Sequence, residues 1–133
     1  MECYKWRMRT KRVFKLKTFG QWARKLVTDE ALCAAAREIE QGIFEADLGG
    51  GVCKKRVAIA GKGKSGSTRT LVAKKHERAI FFLVGREKSE PGSDFTDNVI
   101  DAAKLVAKGL ENASTNKMSE MLDAGTIEEI CHE

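Results

Sequence analysis

The sequence predicts an α+β domain, a small antiparallel-dominated sheet packed on helices, with elements in the order β-α-α-β-β-β-α and a tail behind them. Three observations lead there. Val52–Ala60, Thr68–Ala73 and Ala79–Val84 are strand-like segments close enough along the chain to pair in order as a meander. The last of them, Ala79-Ile80-Phe81-Phe82-Leu83-Val84, is an unbroken apolar run of strand length, as expected of a central strand covered on both faces. Segments of helical period stand before and after these strands.

The elements follow in order. Residues 1–11 read as a loose basic lead-in. Val13-Phe14-Lys15-Leu16-Lys17 alternates apolar and basic, the period of a half-buried strand. Thr18 is placed to cap a short helix holding Phe19, Trp22, Ala23 and Leu26. Thr28, followed by Asp29 and Glu30, starts a longer helix whose apolar stripe is Leu32, Ala35, Ala36 and Ile39, with Phe44 near its end. Gly49-Gly50-Gly51 ends this helical hairpin, and the strands begin at Val52. Gly61 to Ser67 forms a glycine-rich basic link, and Lys75-His76-Glu77-Arg78 turns the chain before the apolar strand. Pro91 and Gly92 punctuate its exit. Thr96 caps a helix with Val99, Ala102, Ala103, Val106 and Leu110 at helical spacing. One domain over residues 12–112 is expected, with residues 113–133 as a tail containing a short helix or an extended piece.

The 133 residues suffice for one core, and 42% hydrophobic with 32% charged is a globular mixture. No apolar run reaches the ~18 residues a membrane span needs, and the basic N-terminus lacks the apolar stretch of a secretory signal. Cys3, Cys33, Cys53 and Cys131 show no paired spacing, so free thiols in a reducing cytoplasm are expected.

Charge is unevenly spread. Residues 1–25 hold nine Lys and Arg against Glu2 alone, and residues 49–88 hold eleven against Glu77 and Glu87, within a net charge of +5. Such segregation makes one positive surface suited to a phosphate-rich or acidic partner. Gly61-Lys62-Gly63-Lys64-Ser65 imitates a phosphate-binding loop, but Ala58 stands where that pattern needs its first glycine. A strand also follows where a helix N-terminus is required. His76 reads as a solvated turn residue and His132 lies in the tail, so neither has an evident catalytic partner. The acids cluster on helices, so neither a metal nor any other cofactor is expected. The cations on the strands remain. Lys54 and Arg56, two apart, project from one face, while Val57 and Ile59 point toward the helices. With Arg69 on the next strand and Lys88 after the apolar one, four cations can converge on one sheet face, with few acids nearby to pair with them.

At these residues the sequence resembles the RelE/HigB group of toxin–antitoxin toxins. The shared pattern is K-x-R, a spacer, then G-x-G-K-x-G-x-x-R, here running from Lys54-Lys55-Arg56 through Gly61-Lys62-Gly63-Lys64-Ser65-Gly66 to Arg69. It continues through Ile80–Val84, Lys88 and Asp94-Phe95-Thr96, so that the resemblance spans roughly residues 12–112. It departs at Ser89, where the family usually has asparagine, at Gly85 and Arg86, where an aromatic residue is common, and at Ser67, which replaces a glycine.

The resemblance implies a RelE-like fold, a cognate antitoxin that often binds DNA, a toxin–antitoxin hetero-oligomer, and cleavage of mRNA, usually on the ribosome. Lys54, Arg56, Arg69 and Lys88 match the family's active-site positions, and Lys55, Lys62 and Lys64 are expected to contact RNA. The implied chemistry is metal-independent: a ribose 2′-oxygen attacks the adjacent phosphate, Arg56 and Arg69 neutralise charge, and Lys88 or Lys54 moves a proton. Phe81 and Phe82 could stack on bases, but their run reads as core. Three other readings are carried forward: a ParE-like gyrase poison, a catalytically inactive binding module of the same fold, and a housekeeping RNA-binding protein.

Overall fold

The structure is a computed structural model and describes residues 10–59, 67–87 and 94–132. Its elements are β1 (Arg12–Leu16), α1 (Lys17–Ala23), α2 (Asp29–Glu40), β2 (Ala46–Gly49), β3 (Val52–Ala58), β4 (Ser67–Ala73), β5 (Ala79–Glu87), α3 (Asp97–Leu110), α4 (Thr115–Ala124) and β6 (Ile127–Ile130). The six strands form one open sheet in the order β2-β3-β4-β5-β1-β6. Every neighbouring pair is antiparallel except β1 with β5, which are parallel. The α+β class and the antiparallel dominance expected from the sequence are both present.

Helices cover both faces of the sheet. On one side α1 and α2 bury Phe19, Leu32 and Ile39 against Val13, Cys53, Val57, Val72, Ile80 and Phe82. On the other, α3 and α4 bury Ala103, Leu110 and Met118 against Phe14, Val52, Leu71, Phe81 and Leu83. Phe81 and Phe82 are fully enclosed, one in each core, so neither ring is available to a base.

Local chemistry explains most boundaries. Thr28 Oγ1 accepts the Ala31 N–H at 3.1 Å and Thr96 Oγ1 accepts the Val99 N–H at 3.3 Å, so both threonines cap as expected. Thr18 does not: α1 follows β1 without a break, its N-cap is Leu16, and no side chain caps it. The triple glycine is likewise not a helix end. Gly49, Gly50 and Gly51 have φ of 83°, 63° and 81°, the left-handed region open to glycine, and they reverse the chain between β2 and β3. The face of α3 is also rotated from expectation. Ala103, Ala107 and Leu110 point inward, whereas Val106 is 42% and Leu105 74% exposed.

Two further expectations are corrected. Cys33 and Cys131 form a disulfide that joins α2 to the end of β6 across 98 residues, while Cys53 is free and buried. Scattered spacing in sequence said nothing of this, because the two ends meet only through the sheet. His76 is buried, not solvated. Its Nδ1 accepts the Arg78 N–H at 2.9 Å and its Nε2 lies 2.9 Å from the Ala113 carbonyl, tying the β4–β5 turn to the link between α3 and α4.

Candidate active site

The alternation of β3 sorts its residues by face. Cys53 and Val57 pack under α1 and α2, and Lys55 lies between them on that side. Val52 packs under α3 and α4, so Lys54 and Arg56 continue that opposite face. On β4, Leu71 and Ala73 face α3 and α4, which puts Arg69 on the side of Lys54 and Arg56.

Strand register then brings the cations together. Arg56 stands directly opposite Arg69, and Arg69 directly opposite Arg86 on β5. Three arginines thus form a row across three adjacent strands. Like charges facing each other across a sheet are destabilising, by several tenths of a kcal/mol per pair. Arg56 and Arg69, facing each other, would gain from an anion above them.

Arg86 reaches the row because of a bulge. Between β4 and β5 the register shifts from Leu71↔Val84 to Val72↔Phe82, leaving Leu83 as the extra residue. Leu83 and Val84 therefore both belong to the α3–α4 side, Gly85 turns to α1, and Arg86 turns back to meet Arg69. Without the bulge, strict alternation from Phe82 would have sent Arg86 to the other face. Gly85 is fixed by a close approach: a Cβ built there would lie 2.0 Å from the Trp22 ring. The aromatic ring against β5 at this level is thus Trp22 of α1, which in turn contacts Phe19 with ring centroids 5.4 Å apart.

Exposure grades across the group. Arg56 is exposed, Lys54 and Arg69 are half-buried, and Arg86 is buried. These residues sit at the ends of β3, β4 and β5, and α3 starts at Asp97. Asp94, just before it, forms an ion pair with Lys54 Nζ. The other carboxylate oxygen of Asp94 accepts the Phe95 N–H at 2.8 Å. Burial pushes the Asp94 carboxyl upward, but the hydrogen bonds from Lys54 and Phe95, with the charges of Lys54 and Arg69, outweigh it and hold the group below its ordinary value. Glu45 accepts the backbone N–H of Arg56 at 2.6 Å. Among the described residues, no ion pair engages the side chains of Arg56 or Arg69.

Of the residues the sequence singled out, Lys54, Arg56 and Arg69 come together. Lys55 does not join them. It is 3% exposed, bonded to Glu38 at 2.6 Å and to the Ile43 carbonyl at 3.1 Å beneath α2, because adjacent residues of a strand point to opposite faces. Lys62, Lys64 and Lys88 lie outside the described residues, as do the loop around Gly61 and the 1–9 part of the lead-in. Two members of the site were not singled out. In the sequence Arg86 stands only as a departure from the family pattern, since a bulge leaves no mark there. Asp94 enters the sequence pattern only as part of a helix start, although an acid two residues before a capping threonine is a visible signal. Among the described residues no group of three or more His, Cys, Asp and Glu gathers as a metal site would require.

The chain matches, over residues 11–130, the family model described as the RelE toxin of the RelE/RelB toxin–antitoxin system. No curated protein matches it. A match across nearly the whole length, on an open α+β sheet of the kind the resemblance implied, means that the chain belongs to the RelE toxin family and has a cognate antitoxin as its partner.

Proposed function

We propose that the protein is an mRNA interferase, a metal-independent endoribonuclease that stops translation by cutting mRNA on the ribosome, and so acts in the cytoplasm. The observation that carries this reading is the row Arg56–Arg69–Arg86 with Lys54 beside it, running from an exposed Arg56 to a buried Arg86. Guanidinium groups suit phosphate oxygens because they donate two parallel hydrogen bonds and keep their charge.

In the reaction the ribose 2′-hydroxyl loses its proton, and its oxygen attacks the adjacent phosphorus. The bond from phosphorus to the 5′-oxygen breaks, giving a 2′,3′-cyclic phosphate and a 5′-hydroxyl. Arg69 and Arg56 bind the non-bridging oxygens and stabilise the extra negative charge of the transition state. Lys54, an ammonium group in an ion pair, is suited to protonating the departing 5′-oxygen. Lys88 is then assigned the proton of the 2′-hydroxyl. RNA is selected over DNA because DNA lacks the nucleophile. Lys62 and Lys64 would track the flanking backbone, and the antitoxin would carry the DNA-binding function of the complex. The buried Lys55 has no part in this reading.

Purified protein added to translating ribosomes with a defined mRNA, followed by analysis of product ends, tests the chemistry. Cyclic phosphate and 5′-hydroxyl ends, lost in Lys54→Ala and Lys88→Ala, are the expected result. Intact mRNA from folded protein, together with gyrase-dependent DNA breaks, would instead support the gyrase poison.

A further inference from the structure

We propose that the Asp94 carboxylate occupies the seat of the scissile phosphate in the RNA-free protein, and that incoming RNA displaces it from Lys54. This inference rests on the reading of the cation row as the RNA site. Four observations carry it. Among the described residues, Asp94 is the one carboxylate ion-paired with a side chain of the Lys54, Arg56 and Arg69 group. It also lies near enough to Arg69 to feel its charge. One anionic oxygen of Asp94 meets Lys54, as a non-bridging phosphate oxygen would, while the other accepts the Phe95 N–H. Finally, the side chain is tethered but not enclosed. The Phe95 ring is buried at 8% exposure and anchors the backbone, while the Asp94 side chain keeps 38% of its surface in water.

An ion pair partly open to solvent is weakened by screening, so a phosphate held by Lys54, Arg56 and Arg69 together can replace it. Asp94 thus competes with substrate for Lys54. It keeps that lysine in position while the site is empty and raises the RNA concentration needed to fill it. Glu45, another acid beside the group, is engaged by the Arg56 backbone N–H.

The test is Asp94→Asn, which removes the charge but keeps an oxygen for the Phe95 N–H. Asp94→Ser, also retaining an acceptor, serves if the first variant does not fold. The probe is a short RNA carrying 2′-O-methyl groups, which cannot be cleaved, with binding read by fluorescence anisotropy. Binding about fivefold tighter than wild type is expected, the size of one exposed ion pair lost from the competition. With cleavable mRNA, KM falls by a similar factor while kcat holds. Unchanged or weaker binding overturns the proposal. So does a fall in kcat at constant KM, which would put Asp94 in the chemistry. The anisotropy result decides the matter even if the protein proves not to cleave RNA.

Discussion

Lys54 and Lys55 are neighbours in the chain and opposites in the fold. Under α2, Lys55 is buried, paired with Glu38 and hydrogen-bonded to a carbonyl, in a region that also holds the Cys33–Cys131 disulfide and the larger helical core. Charge there is satisfied, and the region stabilises the fold. On the other face Lys54 stands with three arginines aligned in register, and the acid that meets it among the described residues is only partly enclosed. Charge there is concentrated at a cost to stability, which fits a surface that acts on something else. The same residue type, one position apart, thus belongs to stability on one face and, on the proposed reading, to function on the other.

Substitutions on the two faces should separate these roles. The largest effect is expected from the cation row: Arg69→Ala or Arg56→Ala should slow cleavage by about 10²–10³-fold, as removal of one transition-state donor does. Because each change also relieves like-charge repulsion, thermal melting should show a Tm equal to or slightly above wild type. A large loss of Tm would mean that the row is structural and would dissolve the contrast.

The helix-covered face should show the reverse. Reducing the Cys33–Cys131 disulfide, or Cys33→Ser, should cost about 2–4 kcal/mol in urea unfolding, while cleavage per folded molecule stays the same. A protein working in a reducing cytoplasm would carry this pair largely as thiols, so its stability there is closer to the reduced value. Lys55→Ala should cost less, about 1–2 kcal/mol, because the stem loses its packing while the half-exposed Glu38 returns to water. RNA affinity should not change. A loss of affinity without loss of stability would return Lys55 to the RNA site.

The smallest expected effect lies at the sheet edge, where Arg12 holds Glu129 at 2.8 Å between β1 and β6. The hydrogen bond from Arg12, opposed in part by burial and aided by the Arg12 charge, keeps the Glu129 carboxyl below its ordinary value. A carboxyl lowered on folding contributes stability above its unfolded pKa and loses it as pH falls through the folded one. Glu129→Gln should therefore be less stable than wild type near neutral pH by under about 1 kcal/mol, allowing for solvent screening. The gap should close in urea titrations carried to about pH 3.

How much of this was legible in the sequence depends on what each feature needs. Threonine caps at Thr28 and Thr96, the stripe of α2 and the central apolar strand are local patterns, and all four lie where the residues indicated. The shared face of Lys54 and Arg56 followed from strand period alone. The short strand β2, the face of α3, the disulfide and the burial of His76 depend on contacts between segments far apart in the chain. Arg86 was hidden for a more specific reason: the bulge at Leu83 changes which face the end of β5 presents, and nothing in Leu83-Val84-Gly85 announces it.

The most direct measurement is primer-extension mapping of a reporter mRNA in bacteria expressing wild type, Arg69→Ala or Lys55→Ala from an inducible promoter. Cuts and growth arrest with wild type and Lys55→Ala, both absent with a folded Arg69→Ala, are the expected result. Cuts that persist in Arg69→Ala, or vanish in a folded Lys55→Ala, would contradict the division of the sheet into a stabilising face and an RNA-cleaving one.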